Sequence, residues 1–248
     1  MQRWQFSTEA EMVATFISQV KRHHSEWVVY AETAGWDLLL VNRDTGEQLG
    51  VEAKLSLNMR VINQALRGVT RWYERRGPDY RAVLVGKGTA DAEDLCLALG
   101  VGVIRASRSP HTAPFMPEDY SLSGRFPHWA PEARCEVPDY VPDVSGGVPS
   151  PVRLSPWKVA AIKLQIILER RGYVTRADMR ALGLHQSRWT DKYHGFLTVS
   201  DGVFVQNQRT PDFRGQHPRN FSEIEADAER WLALANISVE PRIINGGV

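Results

Sequence analysis

The sequence predicts an α/β fold with a mixed sheet, followed by a smaller α+β domain. Helical and extended patterns alternate over residues 8–107, an arrangement that places helices on the faces of a sheet. A proline-rich stretch follows, and beyond it three helical patterns precede a short hairpin. The second pattern begins at Thr175, with Asp178 at capping-box spacing, and the third covers 185–193, where Trp189 is expected to anchor the helix in the core. A last helix is predicted over 222–236. We therefore place a first domain at 1–108, a linker or wrapping segment at 109–154 and a second domain at 155–248.

The first domain reads as α-β-β-β-α-β-α-β. Thr8 and Glu11 have capping-box spacing at the start of its first helix, and an Asp44-Thr45-Gly46 turn joins its second and third strands. In order, the patterns predict a helix from Thr8, strands at 27–30, 36–41 and 48–55, a helix from Asn58 to Arg76, a strand at 81–85, a helix at 90–99 and a strand at 101–104.

Two acids and a lysine fall on the predicted hairpin. Asp37 begins one strand, while Glu52 and Lys54 lie late in its partner, so all three are expected at the same end. Carboxylate oxygens are the ligands that Mg²⁺ prefers, and a bound cation polarises a phosphate and activates water. A lysine beside them can orient that water or offset transition-state charge. The alternative is an ordinary surface pair with a turn acid.

The motif Asp37…Glu52-Ala53-Lys54 resembles that of the PD-(D/E)xK, or restriction-endonuclease-like, nuclease superfamily. Trp36 stands where the family name would put proline, and the predicted α-β-β-β-α-β order is similar to the family core. The resemblance covers residues 7–107 and implies Mg²⁺ or Mn²⁺ as cofactor. It implies catalytic roles for Asp37, Glu52, Lys54, Glu11 and Gln64, with Asp37, Glu52 and Glu11 as metal ligands and Glu9 as the spare acid.

The helix after the site carries arginines at helix-face spacing. Arg60, Arg67 and Arg71 are seven and four residues apart, so they share one face. They are candidates for contacts with the DNA backbone. A solvated helix face explains them equally well.

Charge is concentrated in the second domain. The whole chain has a net charge of +1, but residues 151–220 contain 12 Lys or Arg and 5 Asp or Glu. Three helices and a hairpin resemble a winged helix, which implies that the second helix of a helix-turn-helix enters the major groove. The candidate DNA contacts are then Gln186, Ser187, Arg188 and Lys192. Winged helices also bind proteins, so a protein partner remains the alternative.

The rest of the sequence shows no motif of a zinc site, a phosphate-binding loop or a nucleophile elbow. The 2 cysteines and 7 histidines show no zinc spacing, and no phosphate-binding glycine loop or nucleophile elbow occurs. Without a signal-peptide pattern or a long apolar run, we expect a cytoplasmic protein with no membrane partner.

The sequence leaves three hypotheses. The first is a metal-dependent endonuclease whose second domain delivers the substrate. Double-stranded DNA is the expected substrate, and RNA is the alternative. The second is a non-catalytic DNA-binding regulator or adaptor built on a nuclease-like fold. In the third, the second domain docks a larger complex. A homodimer is expected if both strands are cut, by analogy with enzymes that use two sites.

Overall fold

The protein is described here by a computed structural model that covers residues 6–68, 76–117, 124–143, 154–191 and 193–240. The chain divides into two compact units, Met1–Val137 with Val144–Arg153, and Pro138–Asp143 with Leu154–Val248. Among the described residues, no helix has the length and apolar character needed to cross a membrane.

The first unit contains a five-stranded mixed sheet, which confirms the predicted α/β class. The elements are α1 (Glu9–His23), β1 (Trp27–Thr33), β2 (Trp36–Asn42), β3 (Gln48–Ser56), α2 (Met59–Ala65), β4 (Tyr80–Lys87), α3 (Ala90–Ala98) and β5 (Gly102–Arg105). The strands lie in chain order across the sheet. The β1–β2 and β2–β3 pairs are antiparallel, and the β3–β4 and β4–β5 pairs are parallel.

Each face of the sheet has its own apolar core. On one face, Met12, Val13 and Phe16 of α1 pack on Val51 and Ala53 of β3 and on neighbouring strands. On the other face, α2 buries its apolar side against a cluster that contains Trp36, Leu39, Val61, Ile62, Val83 and Val85. Because strand side chains alternate, Glu52 points to the α2 face, between two residues that point to the α1 face.

The helix predicted from Asn58 to Arg76 is wrong in length. The side chain of Asn58 caps it as expected, accepting from the amides of Arg60 and Val61, but α2 ends at Ala65. Gly68 has a φ of +76°, a left-handed conformation that ends a helical path. Residues 69–75, including Arg71, lie outside the described part of the chain.

The proline-rich stretch contributes to both units. Phe126 enters the α1-side core, and the Trp129 indole donates to the carbonyl of Gly100 at 2.8 Å. Cys135 and Gln48 exchange two hydrogen bonds, at 2.8 and 2.9 Å. Farther along, the Asp143 carboxylate, which belongs to the second unit, contacts the ring of buried His217. The aromatic and polar side chains of this stretch therefore pack, in spite of its proline content.

The second unit has helices before and after a small hairpin. They are α4 (Pro156–Arg171), α5 (Arg176–Ala181), α6 (Gln186–Thr190), β6 (Leu197–Ser200), β7 (Val203–Gln206), α7 (Phe213–Gln216), α8 (Pro218–Ala226) and α9 (Ala228–Ala235). Thr175 and Asp178 form the predicted capping box of α5. Asp201 and Gly202 form the hairpin turn with positive φ, and Val174 bridges Phe204 of β7.

Two predicted helices of this unit differ from the structure. The third helix, predicted over 185–193, is the five-residue α6, since Asp191 leaves the helical conformation and caps the amides of Tyr193 and His194. The last helix, predicted over 222–236, is two helices separated by Asp227, and it begins four residues earlier, at Pro218. Proline is well suited to that first position because its missing N–H has no helical acceptor there.

Gly50 makes room for the Trp36 indole, which supports the candidate site described below. A Cβ atom at Gly50 would lie 2.5–2.8 Å from three ring atoms of Trp36. We therefore expect Gly50→Ala to lower the free energy of unfolding by about 1–3 kcal/mol, measured by denaturant titration. In a Trp36→Leu background the same change should cost less, and an equal loss in both backgrounds would show that the indole is not the cause.

Candidate active site

The sheet opens between β2 and β3 at the candidate site. The paired register of these strands runs from Val41–Gln48 to Leu38–Val51, and the next residues are Asp37 and Glu52. Beyond that point β2 stays paired with β1, and β3 stays paired with β4 as far as Ser56–Lys87. The Asp37 carboxylate spans the opening, where its Oδ2 accepts the amide of Ala53 at 2.8 Å. A side chain thus replaces the ladder hydrogen bond and brings Asp37 next to Glu52.

Glu52 is a buried carboxylate with an arginine partner. Its side chain is 1% exposed, and its Oε1 accepts from Nη2 of Arg67 at 2.7 Å. Burial, and then the charge of Asp37, raise the pKa of Glu52 to about 7, while the charges of Arg67 and Lys54 act in the opposite direction. The charges of Asp37 and Lys54 thus both act on Glu52, and β2 and β3 bring these three candidate residues to one end of the sheet.

Lys54 contacts Glu9 of α1, at 2.6 Å between Nζ and Oε2. The predicted helix acid, Glu11, lies elsewhere: its carboxylate accepts from the amide of Ser7 and from Arg108, and these contacts hold its pKa below the usual range. The sequence already indicated this position, because a capping box places the Glu11 carboxylate at the N-terminus of the helix. Glu9, the spare acid in the sequence, is the α1 carboxylate that reaches Lys54.

Gln64 lies on α2, where it helps to form an open groove of about 520 Å³. The groove is lined by Met59, Arg60, Asn63, Gln64 and Arg67. The two arginines bring positive charge to it, as their seven-residue spacing predicts. The Oε1 atom of Gln64 is buried without a hydrogen-bond partner among the described residues. Gln64 thus lies in the groove beside Arg67, and Arg67 is the groove residue that also contacts Glu52.

The donor set fits a hard cation that keeps part of its water shell. The carboxylates of Asp37 and Glu52 meet here. Burial is the main cause of the raised pKa of Glu52 and the charge of Asp37 is the second, and a divalent cation would offset both effects. Mg²⁺ is commonly held by one or two carboxylates together with water and phosphate oxygens. Within the described residues, no group of three or more His, Cys, Asp or Glu side chains could hold a metal ion. A cation bound by Asp37 and Glu52 would have to take its other ligands from solvent and substrate.

In the second unit, the residues of α6 divide between core and surface. Trp189 is 1% exposed and stacks on Trp157, so it anchors the helix as expected. Ser187 and Arg188 are exposed, and Gln186 is half-buried. Lys192, the remaining predicted contact, lies outside the described residues.

Three exposed arginines on α5 and α6 lie outside the ion pairs that the described residues of the second unit form. Many of its arginines form ion pairs with acids of the same unit, namely Arg170, Arg171, Arg214 and Arg219. In contrast, Arg176, Arg180 and Arg188 form no ion pair with any other described residue, and all three are exposed. Arg176 and Arg180 are not among the DNA contacts predicted from the sequence. Their four-residue spacing places them on one face of α5, which is the sequence feature that could have indicated them.

The raised pKa of Glu52 predicts that the stability of the protein depends on pH. Its folded-state pKa of about 7 exceeds the ordinary value of 4.5, so its contribution is fully present below the lower value and lost as pH rises through the higher one. Over that window we expect the unfolding free energy of the wild type to fall, relative to Glu52→Gln, by on the order of 3 kcal/mol. Denaturant titrations across pH test this, with the exposed Glu136→Gln as control. Parallel pH profiles for the wild type and Glu52→Gln would contradict it.

Comparison of the chain with protein-family models, with curated proteins and with solved structures gave no match. Function is therefore inferred from the geometry and charge of the residues described above.

Proposed function

We propose that the protein is a metal-dependent endonuclease that hydrolyses phosphodiester bonds of DNA. The observation that supports this most strongly is the opening between β2 and β3, where Asp37 lies beside Glu52. The positive charge of Lys54 also acts on the Glu52 carboxylate there. Two acids and an amine at one end of a hairpin are the groups that hydrolysis of a phosphodiester uses.

Each residue has a distinct part in the proposed reaction. A bound Mg²⁺ or Mn²⁺ supplies Lewis acidity toward the phosphate and an activated water. Asp37 and Glu52 hold that cation through their carboxylate oxygens. Lys54 stabilises the charge that develops on the phosphate, and Glu9, through its contact with Lys54, is a positioning residue. Arg60, in the α2 groove, contacts the backbone of the bound strand.

The second unit is proposed to bind the DNA. Exposed arginines without an ion pair among the described residues, on α5 and α6, provide contacts to phosphate groups, and exposed Ser187 and Arg188 are placed to reach base edges or phosphates. The bridge between Val174 and Phe204 adds a third extended segment beside the hairpin, as a winged helix would have. Double-stranded DNA is the substrate that this arrangement favours.

A second function, a non-catalytic DNA-binding adaptor, is favoured by the internal pairing of the site. Glu52 is bound by Arg67, Lys54 by Glu9, and Asp37 by a backbone amide. Such a network is complete without substrate and would suit a scaffold. The cleavage experiment below separates the two functions.

Purified protein should cut DNA in the presence of Mg²⁺ or Mn²⁺. Plasmid, linear, single-stranded and branched substrates are compared, because the residues of the site do not select among them. We expect Asp37→Asn and Lys54→Ala to slow cutting by on the order of 100-fold, because each removes a group that stabilises the transition state. Lys21→Ala, on the last turn of α1, is the matched control and should cut normally. Binding without cutting on every substrate would favour the adaptor.

The arginines of α5 and α6 should account for the salt dependence of DNA binding. Changing Arg176, Arg180 and Arg188 together to glutamine should reduce the slope of log affinity against log salt by up to about three, since each phosphate contact releases counter-ions. The matched control changes the ion-paired Arg170, Arg214 and Arg219 in the same way, and should have a smaller effect on the slope. Equal slopes for the two triple variants would exclude α5 and α6 as the binding face.

A further inference from the structure

We propose that Arg67 is an exchangeable counter-ion: it neutralises Glu52 while the site holds no divalent cation, and it binds a DNA phosphate in the α2 groove once Glu52 has a cation. This inference rests on the proposed function. It deepens that function by naming the residue through which cation binding and DNA binding favour each other.

Arg67 lies between the buried carboxylate and the open groove. Its guanidinium donates to Glu52, which is 1% exposed, while the Arg67 side chain itself is 42% exposed. The same side chain lines the groove together with Arg60 and Asn63. One cationic group therefore faces a buried anion on one side and, on the other, a basic groove suited to a second anion.

Glu52 is the charged partner of Arg67 among the described residues. The other polar contacts of the guanidinium are neutral: Nη1 donates to the carbonyl of Gly35, and Nε donates to that of Gln64 at 3.2 Å. The guanidinium also lies over the Trp36 ring, 5.6 Å from its centroid. Once a cation neutralises the charge of Glu52, the remaining hydrogen-bond acceptors of Arg67 are uncharged carbonyl groups. A phosphate, which accepts two charge-assisted hydrogen bonds from one arginine, is then the stronger partner.

The backbone that carries Arg67 is fixed independently of this exchange. Nη1 of buried Arg81 donates to the carbonyls of Ala65 and Arg67, both at 2.8 Å. Arg81 is itself held between the rings of Trp36 and Trp129, 5.6 and 4.9 Å from their centroids. The exchange thus needs rotation of one exposed side chain and no movement of α2.

Electrostatics gives the exchange a direction. At a separation of a few ångströms, two like charges near a protein surface repel strongly, and solvent and salt reduce this repulsion. A cation on Glu52 and Asp37 would therefore repel the guanidinium toward the groove. Conversely, the guanidinium on Glu52 weakens the binding of that cation. The two positive charges compete for one carboxylate until a phosphate is present.

The test measures two affinities in the full-length protein, with Arg67→Gln beside the control Arg43→Gln. Arg43 is exposed and follows the opposite end of β2. Calorimetry at alkaline pH gives the Mn²⁺ affinity without DNA, and filter binding with Ca²⁺ gives the affinity for duplex DNA across a salt series. We expect Arg67→Gln to bind Mn²⁺ on the order of tenfold more tightly, because a competing charge is gone. Its salt slope for DNA should fall by about one.

The opposite signs of these two effects make the proposal falsifiable. A structural loss at the site would weaken both affinities, and weaker or unchanged Mn²⁺ binding by Arg67→Gln would overturn the exchange. A DNA salt slope equal to that of Arg43→Gln would overturn it as well. If the wild type binds no Mn²⁺ and cuts no DNA, the proposed nuclease function fails and this inference fails with it. If the wild type binds Mn²⁺ and cuts, but Arg67→Gln behaves like the control, the exchange alone is wrong.

Discussion

The candidate site depends on how the sheet keeps a carboxylate buried. Glu52 is 1% exposed on a central strand, and burying a charge without compensation is costly. The protein offsets this cost with Arg67 and with the nearby charge of Lys54, yet it also places Asp37 beside Glu52, which increases the cost. A fold that served structure alone would gain by placing an apolar residue at this position. A divalent cation bound to both carboxylates would offset the repulsion between Asp37 and Glu52.

The surrounding elements can be understood from this constraint. The β2–β3 ladder ends at Leu38–Val51, so the Asp37 carboxylate can enter the opening and bind Ala53. Gly50 lacks a side chain where the Trp36 ring lies, and that ring in turn lies against the guanidinium groups of Arg67 and Arg81. Packing on the α2 face and charge on β3 are therefore linked through one tryptophan. Changes to this packing are expected to alter the electrostatics of the site.

Much of the fold could be predicted from the sequence, because its signals are local. Hydrophobic periodicity and the capping residues Thr8, Asn58 and Thr175 located helices and strands in both units. The errors occurred where a local pattern continued through a break set by tertiary structure, at the end of α2 and at Asp227. In those places the helix ends although the apolar periodicity of the sequence continues, so the pattern alone does not indicate the break.

The candidate site was predicted in part. The strand positions of Asp37, Glu52 and Lys54 follow from alternation and from the hairpin, so their proximity could be inferred. Ion-pair partners could not, because they depend on the reach of long side chains between different elements. The sequence pattern does not indicate that Arg67 binds Glu52, or that Glu9 instead of Glu11 contacts Lys54.

The most direct test of the account is a crystal structure grown with Mn²⁺, with anomalous diffraction used to locate the ion. We predict one anomalous peak in the opening between β2 and β3. The ion at this peak should be coordinated by carboxylate oxygens of Asp37 and Glu52, and the Arg67 guanidinium should no longer contact Glu52. No peak at this position, with Arg67 still bound to Glu52 at saturating Mn²⁺, would contradict it.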